Sequence, residues 1–267
     1  MEYIELGKTG EKIPAIGMGT WKLGDEKEGI EALTRGAALG GNLIDTAEMY
    51  GTEHTVGMAL SAGTEAFVAT KVSPNHLHHD EVIRACERSL KALGIKTIDL
   101  YQIHWPNPRI PIRETISAME ELVDSGRIRY IGVSNFSKEE LQEAQEAAKR
   151  NEIVSNQVEY SVFERNPERG LSDYCSKEKI TIIAYSPLGQ GRLYSHAGRE
   201  AMGALAEIGR RHGKTPGQVA LNWLIEKGNV SAIPKSSNAA HAEENMGSAG
   251  WRLSKEEYAA INRIGQH

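Results

Sequence analysis

The chain has only two cysteines in 267 residues, Cys86 and Cys175, so no disulfide framework can staple it. Thiols this sparse fit a reducing compartment, and each reads as a buried, inert side chain. No stretch reaches the 18 or so uninterrupted apolar residues of a membrane-spanning helix. The opening Met1-Glu2-Tyr3-Ile4-Glu5 lacks a basic segment followed by an apolar core, so no secretory leader is expected and the cytoplasm is the expected location. Basic charge is not in excess either. A net charge of −5 argues against a nucleic-acid partner, because phosphate contacts need a concentrated basic face. Low-complexity segments and linkers are missing as well. What remains is the composition of an ordinary globular protein, 40% hydrophobic and 25% charged.

What is present is an alternation. Tyr3-Ile4-Glu5-Leu6 alternates apolar and polar, Gly7-Lys8-Thr9-Gly10 turns, and Glu11-Lys12-Ile13-Pro14 returns, which predicts a small hairpin. Eight short β-rich runs follow: Ile16–Gly19, Leu43–Asp45, Ala66–Thr70, Ile98–Ile103, Tyr130–Val133, Val154–Gln157, Thr181–Tyr185 and Ser231–Ile233. Most are apolar without strict alternation, as parallel strands covered by helices should be. Helical segments separate them. Asp80 reads as an N-cap for a helix stopping at Gly94. Ser137 with Glu140, and Ser254 with Glu257, have capping-box spacing, and Thr215-Pro216 places Pro at a first helical position. Eight strand–helix repeats predict an α/β fold, a closed (β/α)8 TIM barrel with a short N-terminal β-hairpin, as one domain over residues 1–267. Roughly 250 residues is the usual size of such a barrel. An open doubly wound sheet is the alternative. It normally carries a Gly-x-Gly-x-x-Gly turn after its first strand, and Gly17-Met18-Gly19-Thr20-Trp21-Lys22 lacks the third glycine.

In such a barrel the working residues cluster past the carboxyl ends of the strands. The second strand leads into Asp45-Thr46-Ala47-Glu48-Met49-Tyr50-Gly51, the third ends in Thr70-Lys71, and the fourth in Gln102-Ile103-His104-Trp105. Singly, each polar residue has an ordinary explanation: a helix cap, an exposed hydroxyl, a snorkelling amine, a surface imidazole. Together, Asp45, Tyr50, Lys71 and His104 make a chemically complete set for acid catalysis. A phenol titrates near ~10, too high to donate readily at neutral pH. A nearby ammonium is expected to lower that value, and a carboxylate to hold the ammonium charged. His104 is placed to bond a substrate oxygen. His76-Leu77-His78-His79 lacks matching ligands at metal-site spacing and reads as a solvated loop, so no metal is expected.

These residues also match a known family. Gly36 through Gly51 resembles the second-strand motif of the aldo-keto reductases, with Asn42 where an aromatic residue or Arg is frequent. Ile128-Arg129-Tyr130-Ile131-Gly132-Val133-Ser134-Asn135-Phe136 is similar to their fifth-strand motif, and Ile233-Pro234-Lys235-Ser236 with Glu244-Asn245 to their cofactor signature. The similarity covers essentially the whole chain. It implies an NAD(P)H-dependent oxidoreductase that reduces aldehydes and ketones to alcohols, with Asp45, Tyr50, Lys71 and His104 as catalytic tetrad and Tyr50 as general acid. By the same resemblance Ser134, Asn135 and Gln157 hold the nicotinamide carboxamide and Tyr185 stacks on its ring. Gly19, Thr20, Ser186, Pro187 and Leu188 lie along the cofactor, and Lys235, Ser236, His241, Glu244 and Asn245 at its adenosine end.

One departure bears on the coenzyme. Members that use NADPH often carry an Arg five or six residues after the Lys-Ser pair, and Ser237-Asn238-Ala239-Ala240-His241 has none. NADPH is expected, with NADH possible, since Lys235 and His241 offer point charges but no fork. Trp21, Met49 and Trp105 are expected to line an apolar substrate pocket. The short segment after His104 and the chain end at His267 suggest an open pocket accepting small carbonyl compounds. No exposed apolar stripe stands out, so a monomer is expected. Two other readings are a barrel that binds the coenzyme as a redox sensor, and a phosphate-handling isomerase whose anion loop would be Gly189-Gln190-Gly191.

Overall fold

In the computed structural model, which describes residues 1–264, eight parallel strands stand in sequence order around a barrel. They are β3 (Met18–Gly19), β4 (Leu43–Asp45), β5 (Phe67–Val72), β6 (Ile98–Ile103), β7 (Ile128–Ser134), β8 (Ile153–Glu159), β9 (Thr181–Tyr185) and β10 (Val230–Ala232). Ahead of them Tyr3–Glu5 (β1) and Lys12–Pro14 (β2) pair antiparallel as the expected hairpin. Backbone bridges from Ile16 to Ala232 and from Gly19 to Lys235 bring the last strand back to the first. At that seam a Cβ on Gly19 would lie 2.9 Å from the Ile233 carbonyl oxygen, so only glycine admits the approach.

Among the described residues ten helices lie outside: α1 (Glu26–Ala38), α2 (Glu53–Ser61), α3 (His79–Leu93), α4 (Ile112–Asp124), α5 (Lys138–Ala147), α6 (Leu171–Glu178), α7 (Arg199–His212), α8 (Pro216–Ile225), α9 (Ala239–Met246) and α10 (Lys255–Asn262). Ser137, Thr215 and Ser254 each close a reciprocal capping box, with Glu140, Gln218 and Glu257 as partners. The Asp80 cap is not found. Helix α3 begins two residues earlier, with His78 at its cap position, and Asp80 sits in the first turn beside Glu81, where a carboxylate still favours the positive end of the helix dipole.

Two apolar layers follow from strand alternation. Leu43, Phe67, Ala69, Leu100, Val154, Ile183 and Ile233 fill the barrel, and Leu6 and Ile13 of the hairpin segment plug its amino-terminal end. The opposite faces of the strands pack against the helices, with Val68, Val72, Tyr101 and Ile103 among them. The hairpin stays in place because the Thr181 hydroxyl donates to the Glu5 carbonyl at 3.0 Å. One end is thus sealed and the carboxyl end left open.

Several strands outrun their expected limits. The third barrel strand was expected over Ala66–Thr70 but runs Phe67–Val72, paired with β6 as far as Val72 and Ile103. Lys71 therefore lies within the sheet rather than past its end. The strands expected at Tyr130–Val133 and Val154–Gln157 extend to Ile128–Ser134 and Ile153–Glu159, while Ile16 keeps only a bridge outside β3. The last strand runs Val230–Ala232 instead of Ser231–Ile233. Polar residues at the strand mouths hid these ends, because sheet pairing rather than apolarity decides how far a strand continues. The expectation that rested on His267 falls outside the described residues.

Candidate active site

Period-two alternation stacks side chains in columns that rise through the barrel to its mouth. In β5 the inward column is Phe67, Ala69 and Lys71, and in β6 and its exit it is Leu100, Gln102 and His104. Asp45 closes β4 above Leu43. Tyr50 arrives differently. It ends a 3-10 turn, Glu48–Tyr50, which Gly51 terminates at φ +70 before α2 begins.

The four expected residues meet. Lys71 Nζ donates to Asp45 Oδ1 at 2.5 Å and to the Thr46 carbonyl at 2.8 Å, and it lies 3.5 Å from the Tyr50 hydroxyl. The same hydroxyl is 3.4 Å from His104 Nε2. Lys71 is fully buried and Asp45 nearly so, at 0% and 2% exposure, which makes the pair obligatory for both. The second Asp45 oxygen accepts from Gln157 Nε2 at 2.7 Å and from Gln102 Nε2 at 3.2 Å. Gln102 was given no role from sequence. Its place two residues before His104 in one inward column is the signal that would have found it.

The electrostatics differ from expectation in one respect. The Tyr50 phenol is not made acidic: burial pushes it well above its ordinary value, and the Asp45 carboxylate adds to that rise. The Lys71 ammonium is engaged by Asp45 and Thr46 at short range and lies 3.5 Å from the phenol, whose rise comes from burial and the Asp45 charge. Burial pushes the Lys71 amine down as well, with Asp45 opposing the shift. His104 is pushed down to about 3, first by burial and then by the Lys71 charge, so its imidazole is neutral at pH 7. The Tyr50 phenol keeps its proton and His104 lacks a second one.

Around this centre lie the residues expected at the cofactor. Ser134 and Gln157 are buried at neighbouring strand ends. Asn135 holds φ +63, a left-handed conformation that Asn tolerates better than most side chains. That places its side chain to accept the Tyr185 hydroxyl at 2.9 Å and to donate to the His104 carbonyl at 2.9 Å. Tyr185 is half-buried, Ser186 is left-handed at φ +48, Pro187 is buried, and Leu188 packs partly against the outer core. Thr20 is buried and its hydroxyl lies 3.0 Å from that of Thr52. At the far side Lys235 is exposed next to Ser236, His241 is exposed on α9, Glu244 accepts the Thr215 hydroxyl at 2.6 Å, and Asn245 is partly buried. Gly189, Gln190 and Gly191 form a run of left-handed residues in the loop after β9.

Trp21, Met49 and Trp105 are 44%, 56% and 47% exposed, more open than the lining of an enclosed pocket. The histidine stretch is not simply solvated. His76, His78 and His79 face Glu48, Glu114 and Asp80 respectively at 3.0–3.1 Å, while Leu77 is buried.

Fold and site together define a (β/α)8 enzyme with a phenol, a neutral imidazole and a buried ion pair at its open end. The Aldo/keto reductase family model matches residues 15–266, and the chain belongs to that family, whose members are oxidoreductases of the carbonyl–alcohol pair. It is 38% identical over 260 residues to a methylglyoxal reductase of Escherichia coli, covering 94% of this chain and 90% of that one. It is 34% identical to a glyoxal reductase of Bacillus subtilis, covering 96% and 90%. Among solved structures, a thermostable aldo-keto reductase in complex with the inhibitor epalrestat superposes with a TM-score of 0.93 at 43% identity, covering 99% of this chain and all of that one. An aldo/keto reductase of Klebsiella pneumoniae in complex with NADP and acetate superposes with a TM-score of 0.89 at 33% identity, covering 98% and 95%.

Proposed function

We propose that the chain works as a single cytoplasmic barrel domain, monomeric, that reduces small aldehydes and ketones to alcohols with NADPH as hydride donor. The observation that carries this reading is the unbroken line from His104 Nε2 to the Tyr50 hydroxyl, 3.4 Å, to Lys71 Nζ, 3.5 Å, to Asp45 Oδ1, 2.5 Å. The donor set at the mouth suits the coenzyme: hydroxyl and amide groups of Ser134, Asn135 and Gln157 match a carboxamide, the Tyr185 ring matches a flat heterocycle, and Lys235 with Ser236 matches a phosphate. In this reading Gly19, Thr20, Ser186, Pro187 and Leu188 run along the coenzyme, and His241, Glu244 and Asn245 lie at its adenosine end. NADPH supplies hydride when bound.

The protein's part is proton placement. Tyr50 holds a proton at its hydroxyl, and neutral His104, in its Nε2-protonated tautomer, offers a second N–H to the same carbonyl oxygen. Both donors favour an oxygen on which negative charge is growing. Tyr50 would give its hydroxyl proton to the carbonyl oxygen as that oxygen becomes an alcohol hydroxyl, with the Lys71 ammonium next to the phenolate that remains. Burial raises the phenol and so makes it a weaker acid; it hands over its proton only as the carbonyl oxygen takes on alkoxide character, which is more basic than a phenolate, with the Lys71 ammonium beside it. The relatives named for methylglyoxal and glyoxal reduction support small carbonyl substrates. The exposed rim of Trp21, Met49 and Trp105 supports broad acceptance.

The test is loss of absorbance at 340 nm with 4-nitrobenzaldehyde and a panel of small aldehydes, NADPH and NADH side by side. Tyr50→Phe is expected to abolish reduction while NADPH still binds. Reduction by that variant near the wild-type rate would remove Tyr50 from the mechanism, and a steep preference for one aldehyde would contradict an open pocket.

A further inference from the structure

Lys71 stands on a fully buried strand, whereas Tyr50 rides on a three-residue turn that has little to hold it. Ala47, which caps the turn, supplies no side-chain hydrogen bond, Glu48 and Tyr50 are only partly buried, and Met49 is exposed. The turn has not been left loose. Two residues before Tyr50, Glu48 Oε1 accepts the backbone N–H of Ser73, two residues after Lys71, and faces His76 Nδ1 at 3.0 Å. Three residues after Tyr50, Glu53 Oε1 accepts the Thr70 hydroxyl at 2.6 Å, one residue before Lys71. The two carboxylates therefore bracket the phenol in sequence, and their partners bracket the amine.

Strand alternation makes the geometry useful. Lys71 points into the barrel, so Thr70 points out of it, towards the helical layer that holds Glu53. Glu53 is 7% exposed and Thr70 fully buried, which keeps water from competing for that bond. A hydroxyl chain ties the same turn from a third side. Thr52 Oγ1 lies 3.0 Å from both Thr46 Oγ1 and Thr20 Oγ1, and the Thr46 carbonyl accepts from Lys71.

We propose that Glu48 and Glu53 are positioning residues for the Tyr50–Lys71 pair, a two-ended brace that fastens the turn bearing the phenol to the strand bearing the amine. Neither carboxylate touches Lys71 or the Tyr50 hydroxyl in the bonds described. Their effect runs through the separation of those two groups, to which proton transfer is steeply sensitive: a displacement of about 1 Å can lower a rate roughly a hundredfold. The inference rests on the reading of Tyr50 as the proton donor.

The test is single-turnover oxidation of bound NADPH by 4-nitrobenzaldehyde in stopped flow, with NADPH dissociation constants from fluorescence quenching. Thr70→Val removes one hydroxyl at constant volume, and Glu48→Ala removes the other end of the brace. Each is expected to slow hydride transfer by at least about threefold with the NADPH dissociation constant changed less than about twofold, a split that general destabilisation does not give. Thr70→Ser and Glu53→Gln keep a donor and an acceptor in place and are expected to restore the rate. A slowing below about threefold in either variant, or a loss of NADPH binding in step with the rate, overturns the brace. Should Thr70→Val not fold, Glu48→Ala alone decides. Wild type and Tyr50→Phe run alongside: a wild type that does not reduce the aldehyde, or a Tyr50→Phe that does, sinks the underlying reading instead and takes the brace with it.

Discussion

The Asp45 carboxylate and the Gln157 amide meet at 2.7 Å inside the barrel, joining a strand of the acid chain to a strand of the proposed coenzyme floor. Because the other Asp45 oxygen takes Lys71, both oxygens are committed and both charged groups are sealed from water.

Removing the cation alone should therefore be severe. Lys71→Met leaves a buried, unpaired carboxylate and is expected to lower stability by about 3–5 kcal/mol along with activity. Adding Asp45→Asn should restore most of the stability and none of the activity. Urea unfolding of the three proteins checks this, and a single variant as stable as wild type would show that the pair is not held as ions.

His104 gives a pH signature. Its native imidazole is pushed down to about 3, while the unfolded chain takes up a proton below the ordinary value of 6.5. The unfolded state thus binds more protons across that interval. The stability involved is fully present above 6.5 and lost as pH falls towards 3, with a slope of at most about 1.4 kcal/mol per pH unit. His104→Phe should flatten that part of the profile. Parallel stability curves for wild type and variant between pH 7 and 4 would contradict it.

On the proposed reading, coenzyme choice turns on the stretch after Lys235 and Ser236. His241 is exposed on α9, where an Arg could fork onto a phosphate. His241→Arg is expected to lower KM for NADPH by about tenfold, roughly 1.4 kcal/mol, and to leave KM for NADH nearly unchanged. Equal changes for both coenzymes would place the 2′-phosphate elsewhere.

Much of this protein was legible in one dimension. Eight strand–helix repeats specify the barrel because each amphipathic unit buries its apolar face only against its neighbours. Capping boxes at Ser137 and Ser254 are local chemistry, so they read directly from spacing. Asp80 misled because a carboxylate suits both a cap and a first turn, and only the backbone around His78 separates the two. Gln102, Glu48 and Glu53 went unseen because ordinary polar residues acquire meaning only from what faces them.

The order of residues along the chain determined which side chains enter the barrel and that Asp45, Tyr50, Lys71 and His104 share its open end, since alternation along a strand and the direction of parallel strands leave little choice. The folded molecule decided how those groups titrate. An ammonium six residues or sixty from a phenol in sequence says nothing of whether its charge is directed at that phenol or at a nearer carboxylate. Burial, with the Asp45 carboxylate adding to it, set the balance and left the Tyr50 phenol protonated rather than acidic.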